Sequence, residues 1–170
     1  MFLQSQYTKL IILALFLLSF ASCGEKKTKI ACVGDYITSG SDSINVLSES
    51  YPAILAELLG NDFEVMNFGV ADAKINKECT KAYHKSNNYR NIQIYNPDII
   101  ILMLGSNDAI PTQWDRYASR LKKDYEELLT TFQALPSSPG IYICTPICSF
   151  QNNLGIDDYT VSQNLSTMIR

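Results

Sequence analysis

Short apolar runs alternate with stretches of helical periodicity along this chain, and the alternation predicts its elements. Ile30 to Gly34 is apolar or small, with β-branched Ile30 and Val33, so Lys29 to Val33 reads as a buried parallel strand that breaks at the polar pair Gly34-Asp35. Residues 39–50 are rich in Ser, Asp and Asn and read as a loop. A helix then begins at Tyr51-Pro52, with Pro tolerated in the first turn, and Ile54, Leu55, Leu58 and Leu59 mark one face before Gly60 caps it. Phe63 to Phe68 is a second strand, broken at Gly69. The segment 71–96 is polar and Tyr-rich with weak helical periodicity, which predicts a helix ended by Pro97-Asp98. Ile99 to Leu104 is the longest uninterrupted apolar run after the amino-terminal one. It lacks polar alternation, so it must be covered on both faces in the middle of a sheet. Trp114 to Leu135 is helical, with Tyr117, Leu121, Tyr125, Leu128 and Leu129 on one face and Pro136 as its stop. Ile141 to Cys144 forms a fourth strand, and residues 157–170 start another helix.

Strand and helix alternating four times argue for an α/β domain with a parallel sheet and right-handed crossovers. The amino terminus stands outside that pattern. Lys9 precedes an uncharged run from Leu10 to Phe20, too short for a mature membrane span but suited to the core of a signal peptide. Ala21-Ser22-Cys23 follows and resembles the lipobox of bacterial lipoproteins, with Phe20 where Leu is more usual. The reading is a leader over 1–22, acylation of Cys23, a polar tether over 23–28, and one domain over 29–170. The expectation is an exported chain held at a cell-envelope membrane, with an ordinary secretory signal as the alternative.

Composition and charge narrow the function classes. The chain is 46% apolar and 18% charged, which suits a packed domain, and its formal net charge is -3. Lys26, Lys27 and Lys29 form the only basic cluster, so nucleic acid is not expected as a partner. Beyond Cys23, the cysteines are Cys32, Cys79, Cys144 and Cys148. Cys32 and Cys144 lie in apolar runs and read first as buried small hydrophobes. With no Cys-x-x-Cys pair and His84 the single histidine, a protein-built zinc or haem site is not expected.

The chemistry sits where strands end. Three polar turns follow the first three strands: Gly34-Asp35-Tyr36-Ile37-Thr38, Asn67-Phe68-Gly69-Val70-Ala71 and Gly105-Ser106-Asn107-Asp108. In open α/β sheets, sites collect at the carboxyl ends of strands. Taken together with the Tyr51-Pro52 helix start and the Asn96-Pro97-Asp98 lead into the third strand, these blocks resemble the SGNH hydrolases, the GDSL family of lipases and esterases. The resemblance implies a three-layer α/β/α, flavodoxin-like fold and serine ester hydrolysis with no cofactor. It matches Gly69 and Asn107 to the donors of an oxyanion hole, and Gly34, Asp35, Gly105 and Asp108 to the framework of the turns. A small acyl ester or an acylated glycan is the implied partner, with the membrane reached through the lipid anchor.

Two departures change the functional expectation. Where the family carries its nucleophilic Ser, this chain carries Tyr36, whose residue type has a pKa near 10 and whose bulk fills the place of the acyl carbon. Ser39, Ser41 and Ser43 lie past the turn and read as loop residues. The family's Asp-x-x-His block is absent from the sequence, and His84 reads as a lone exposed imidazole. The resemblance therefore implies that a fifth strand and the histidine loop are missing after residue 170. The expectation is an impaired esterase, with a non-catalytic glycan- or acyl-binding lipoprotein or a gene fragment as alternatives. Tyr83, Tyr89, Tyr95, Trp114 and Tyr117 are assigned first to helix packing and second to a sugar-binding cleft.

Overall fold

The structure, a computed structural model, describes residues 26–40, 50–147 and 155–169. The expected leader, Cys23, Ser41, Ser43 and Cys148 lie outside the described residues. Among those described, no helix is long and apolar enough to cross a membrane.

Four parallel strands form one sheet in the order β2-β1-β3-β4, with β1 at Thr28–Gly34, β2 at Phe63–Gly69, β3 at Ile99–Met103 and β4 at Gly140–Ile143. The central position predicted for the third strand is found: β3 pairs with both β1 and β4. Burial follows position in the sheet. β1 is buried from Ile30 onward, whereas β2 alternates and β4 is largely exposed, as strands bordered on one side only must be.

Helices cover both faces. Ala31 and Val33 of β1 and Ile100 and Leu102 of β3 point into a core that also takes Ile92 of α3 (Asn87–Tyr95, third of the helices in chain order) and Leu121, Tyr125, Leu128 and Phe132 of α4 (Pro111–Gln133). On the other face, Cys32 meets the phenol of Tyr51, which opens α2 (Tyr51–Leu59). A four-residue α1 (Tyr36–Ser39) follows β1 directly. Near the carboxyl end, a π-helical turn at Thr160–Leu165 runs into α5 (Ser166–Ile169).

Three expectations are corrected. The apolar face proposed for α2 is split, because Ile54 and Leu58 project into solvent, Leu58 at 79% exposure, while the helix rests on buried Pro52 and half-buried Leu55 and Leu59. Residues 71–96 are not one helix. A loop, pinned by a Lys74–Ala82 bridge, and a 3-10 turn at Tyr83–Lys85 come first, and α3 starts only where the Ser86 hydroxyl accepts the Tyr89 N–H. The polar residues that weaken the helical pattern are the ones spent on holding this loop. Third, α4 starts three residues earlier than Trp114, with Pro111 in its first turn.

Candidate active site

The first turn is built around Asp35. Its Oδ1 accepts the Ile37 N–H at 3.2 Å and caps α1, and its Oδ2 accepts the Ser106 hydroxyl at 2.8 Å, tying the first turn to the third. Burial pushes its carboxyl above the usual range, and these two bonds oppose the shift in part. Tyr36, half-buried, is the first residue of α1. Thr38 is fully buried, and its hydroxyl lies 3.5 Å from the Tyr51 oxygen.

The second turn is latched to the first by Asn67. Its Nδ2 donates to Thr38 O at 2.8 Å while its Oδ1 accepts the Gly69 N–H at 2.8 Å, and Val70 N donates to Gly34 O at 3.0 Å. Gly34 and Gly69 permit this approach. A Cβ on Gly34 would stand 2.7 Å from Met103 O, and one on Gly69 would stand 2.6 Å from Ser39 Cα.

The third turn reaches the loop after β2. Gly105 leads β3 into a 3-10 turn at Ser106–Asp108 whose three side chains are buried. Asn107 Nδ2 donates to Ala73 O at 3.1 Å. Asp108 accepts the Ile75 N–H at 2.8 Å and the Asn76 N–H at 3.1 Å; its burial nevertheless pushes the carboxyl up to about 6, because desolvation outweighs the two donors. Next to this junction Asp72 holds φ at +59°, a conformation uncommon for a residue with a side chain, and its carboxylate pairs with Lys81.

The three turns thus meet through side-chain hydrogen bonds at one end of the sheet. The two residues matched to an oxyanion hole differ in their surroundings. Asn107 Nδ2 carries two hydrogens, of which Ala73 O takes one; the second has no acceptor among the described residues and is available to a developing oxyanion. The Gly69 N–H already has Asn67 Oδ1 as its acceptor, and its carbonyl accepts from Asn88 Nδ2 at 2.9 Å. An oxyanion at Gly69 would have to compete with Asn67.

His84 is not the exposed imidazole expected. It is half-buried in the 3-10 turn at Tyr83–Lys85, in a small recess with Tyr89, Asp124 and Glu127. Its Nδ1 is buried with no hydrogen-bond partner among the described residues, and burial together with Lys77 and Lys85 lowers its pKa. Tyr83 is buried with its hydroxyl on Phe68 O at 2.8 Å; Tyr95 packs on Phe68 and Tyr89 on Phe132, so these aromatics serve packing. Cys32, Cys79 and Cys144 are free thiols, and burial pushes Cys32 up to about 11.

Sequence reasoning missed the two polar latches, Asn67 and the Ser106–Asp35 bond. An Asn two residues before a Gly at a strand end was the available signal for the first, since Asx side chains bond their own backbone two residues on. Nothing in the order of residues pairs Ser106 with Asp35.

An acetylxylan esterase of Xylanibacter ruminicola is 27% identical over 158 residues, covering 83% of this chain and 33% of that protein; the chain therefore spans about a third of the length of this curated relative. Among solved structures, the inhibitor-bound aryl esterase of M. smegmatis superposes with a TM-score of 0.56 at 19% identity, covering 83% of this chain and 79% of that one. The acetyl xylan esterase AlAXEase gives 0.57 at 18% over 84% and 70%, and AlinE4, a SGNH-hydrolase family esterase, 0.54 at 20% over 86% and 74%. These three likenesses establish a shared fold. The family model of the GDSL-like lipase/acylhydrolases matches residues 32–170, nearly all of the strands, helices and turns described above, and the chain belongs to that family.

Proposed function

We propose that this chain carries the acyl-ester site of its family, directed at an acylated glycan, and that it binds such a ligand with little or no turnover. The observation that carries the reading is the pair Tyr36 and Asn107. A buried amide with one hydrogen to spare suits the oxygen of an ester carbonyl, while a phenol leads α1 where the resemblance calls for a serine hydroxyl. The occupied Gly69 N–H points the same way, since hydrolysis needs donors free for the tetrahedral intermediate and each is worth about 3 kcal/mol. A glycan as the carrier of the acyl group is supported by the relatives named for acetylxylan. Export and lipid anchoring at Cys23 are part of the proposal and rest on the sequence pattern alone.

The test is hydrolysis of p-nitrophenyl acetate alongside binding of an acetylated xylo-oligosaccharide. The expected result is turnover no faster than in buffer, with saturable binding that Asn107→Ala weakens. Turnover abolished by Asn107→Ala would instead make the chain a working esterase. Absence of Asn107-dependent binding would remove the site.

A further inference from the structure

The loop after β2 holds the Asn107 turn, and His84 sits where that loop closes. Ala73 O accepts from Asn107 Nδ2, and the Ile75 and Asn76 N–H groups donate to Asp108. Between them, Lys74 is bonded to the far arm of the loop in both directions: its N–H donates to Lys81 O at 3.0 Å, and its O accepts the Tyr83 N–H at 2.8 Å. His84 follows Tyr83 directly, so its 3-10 turn is one residue from the Lys74–Ala82 bridge that sets Ala73 and Ile75.

On its other side His84 faces α4 across a recess of about 10 Å³, which has room for about one water at most. The charged groups around the imidazole come from every element packed there. α4 supplies Asp124 and Glu127, with Arg120 behind Asp124; the loop supplies Lys77; and the 3-10 turn itself supplies Lys85. α3 adds the Tyr89 ring, edge-on at 6.4 Å. Both carboxylates are already engaged. Asp124 Oδ2 accepts the Lys77 N–H at 3.0 Å and lies 3.4 Å from Arg120 Nε, and Glu127 pairs with Lys77. A neutral imidazole can leave the buried Nδ1 bare by carrying its hydrogen on Nε2. An imidazolium cannot: it has a hydrogen on both nitrogens, so the buried Nδ1–H would stand without an acceptor among the described residues, and Lys77 and Lys85 repel its charge.

We propose that His84 is a positioning residue for the Asn107–Asp108 turn: as the neutral imidazole it closes the loop on α4, and on taking up a proton it releases the loop, and with it the Ala73, Ile75 and Asn76 backbone groups that hold the turn. Burial and the two ammonium groups hold the folded His84 below its ordinary 6.5, so the open loop binds the proton more tightly. The docking contribution is therefore full above about pH 6.5 and is lost as pH falls through the lower, folded value. Asp108 acts on the same loop with the opposite sign, which makes the ratio of a His84 variant to its parent the quantity to read. The role concerns how Asn107 is held and goes beyond the acyl-glycan reading.

His84 is the single histidine of the chain, so its ring protons give one NMR titration in the full chain. A midpoint below 6.5 is expected, and one at or above 6.5 overturns the proposal. Amide exchange of Ile75 and Asn76, corrected for the intrinsic rate at each pH, reads the loop itself. Protection in His84→Gln relative to the parent is expected to rise by about fivefold or more between about pH 7.5 and pH 5, the lower end of what an unmade buried hydrogen bond costs. A ratio that stays constant over that range makes His84 a packing residue only and overturns the proposal. His84→Phe, which keeps a ring without the nitrogens, gives the same reading where the Gln variant does not fold. Neither measurement involves a ligand, so failure of the acyl-glycan reading would leave both results intact.

Discussion

At the carboxyl ends of β1 and β3, buried polar groups are answered by partners, whereas on the flank formed by β4, α4 and α5 a buried one is not. Asp35, Asn107 and Asp108 each bond across from one turn to another. On the flank, Tyr125 is 4% exposed and its hydroxyl has no hydrogen-bond partner among the described residues; it lines an open 260 Å³ cavity with Leu129, Ile143, Met168 and Ile169, and Tyr142 stands 64% exposed nearby. An unmade buried hydrogen bond costs more than a made one contributes, about 1–3 kcal/mol against about 1. The turns therefore carry specificity in their bonds, and the flank carries a local deficit.

Substitutions at two glycines test the contrast most sharply. Gly34→Ala forces a methyl against Met103 O and the Thr38 side chain, and should cost about 3 kcal/mol or more, read as a lower urea midpoint with unchanged slope. Gly140→Ala, at the start of β4, meets nothing within 4 Å and should change stability by less than about 0.5 kcal/mol. Comparable losses at both positions would mean that the turns are no tighter than the flank.

The next largest effect is a pH dependence at Asp108. Its folded carboxyl titrates at about 6, above the ordinary value of 3.8, so the folded state holds this proton more tightly than the unfolded chain does. Stability from this group is therefore full below pH 3.8 and is lost as pH rises through about 6, on the order of 3 kcal/mol in all. Asp108→Asn should be less stable than the parent at pH 4, because it can accept only one of the two loop N–H bonds, and should narrow that gap by pH 7. Parallel urea-derived stability curves across this range would show that the buried carboxyl is not the source.

The smallest effect is a gain. Tyr125→Phe removes the orphaned hydroxyl and keeps the ring, and should raise stability by about 1 kcal/mol. A loss of that size would show that the hydroxyl is satisfied in solution.

Much of this molecule was legible before its structure. The unbroken run of Ile99 to Leu104 placed β3 inside the sheet because a strand without polar positions must be covered on both faces, and β3 is flanked by β1 and β4. The strand-end turns with Gly34-Asp35, Gly69 and Ser106-Asn107 stood out in the sequence, and the structure brings them together at one end of the sheet. The α2 face was misread because Ile54 and Leu58 fit a helical period, and periodicity does not reveal whether a neighbour covers the stripe. The loop from 70 to 82 was misread because its bonds go to Asp108 and Asp124, far away in sequence.

The sequence by itself determined the order of strands and helices, the family, and the presence of a phenol at position 36, since these depend on local pattern and residue chemistry. The tertiary structure alone decided which donors are still free. Ala73 O takes one hydrogen of Asn107, and Asp35 takes the Ser106 hydroxyl. Hydrogen bonds and ion pairs are settled by proximity in space, and no spacing along the chain encodes which of several possible partners arrives first.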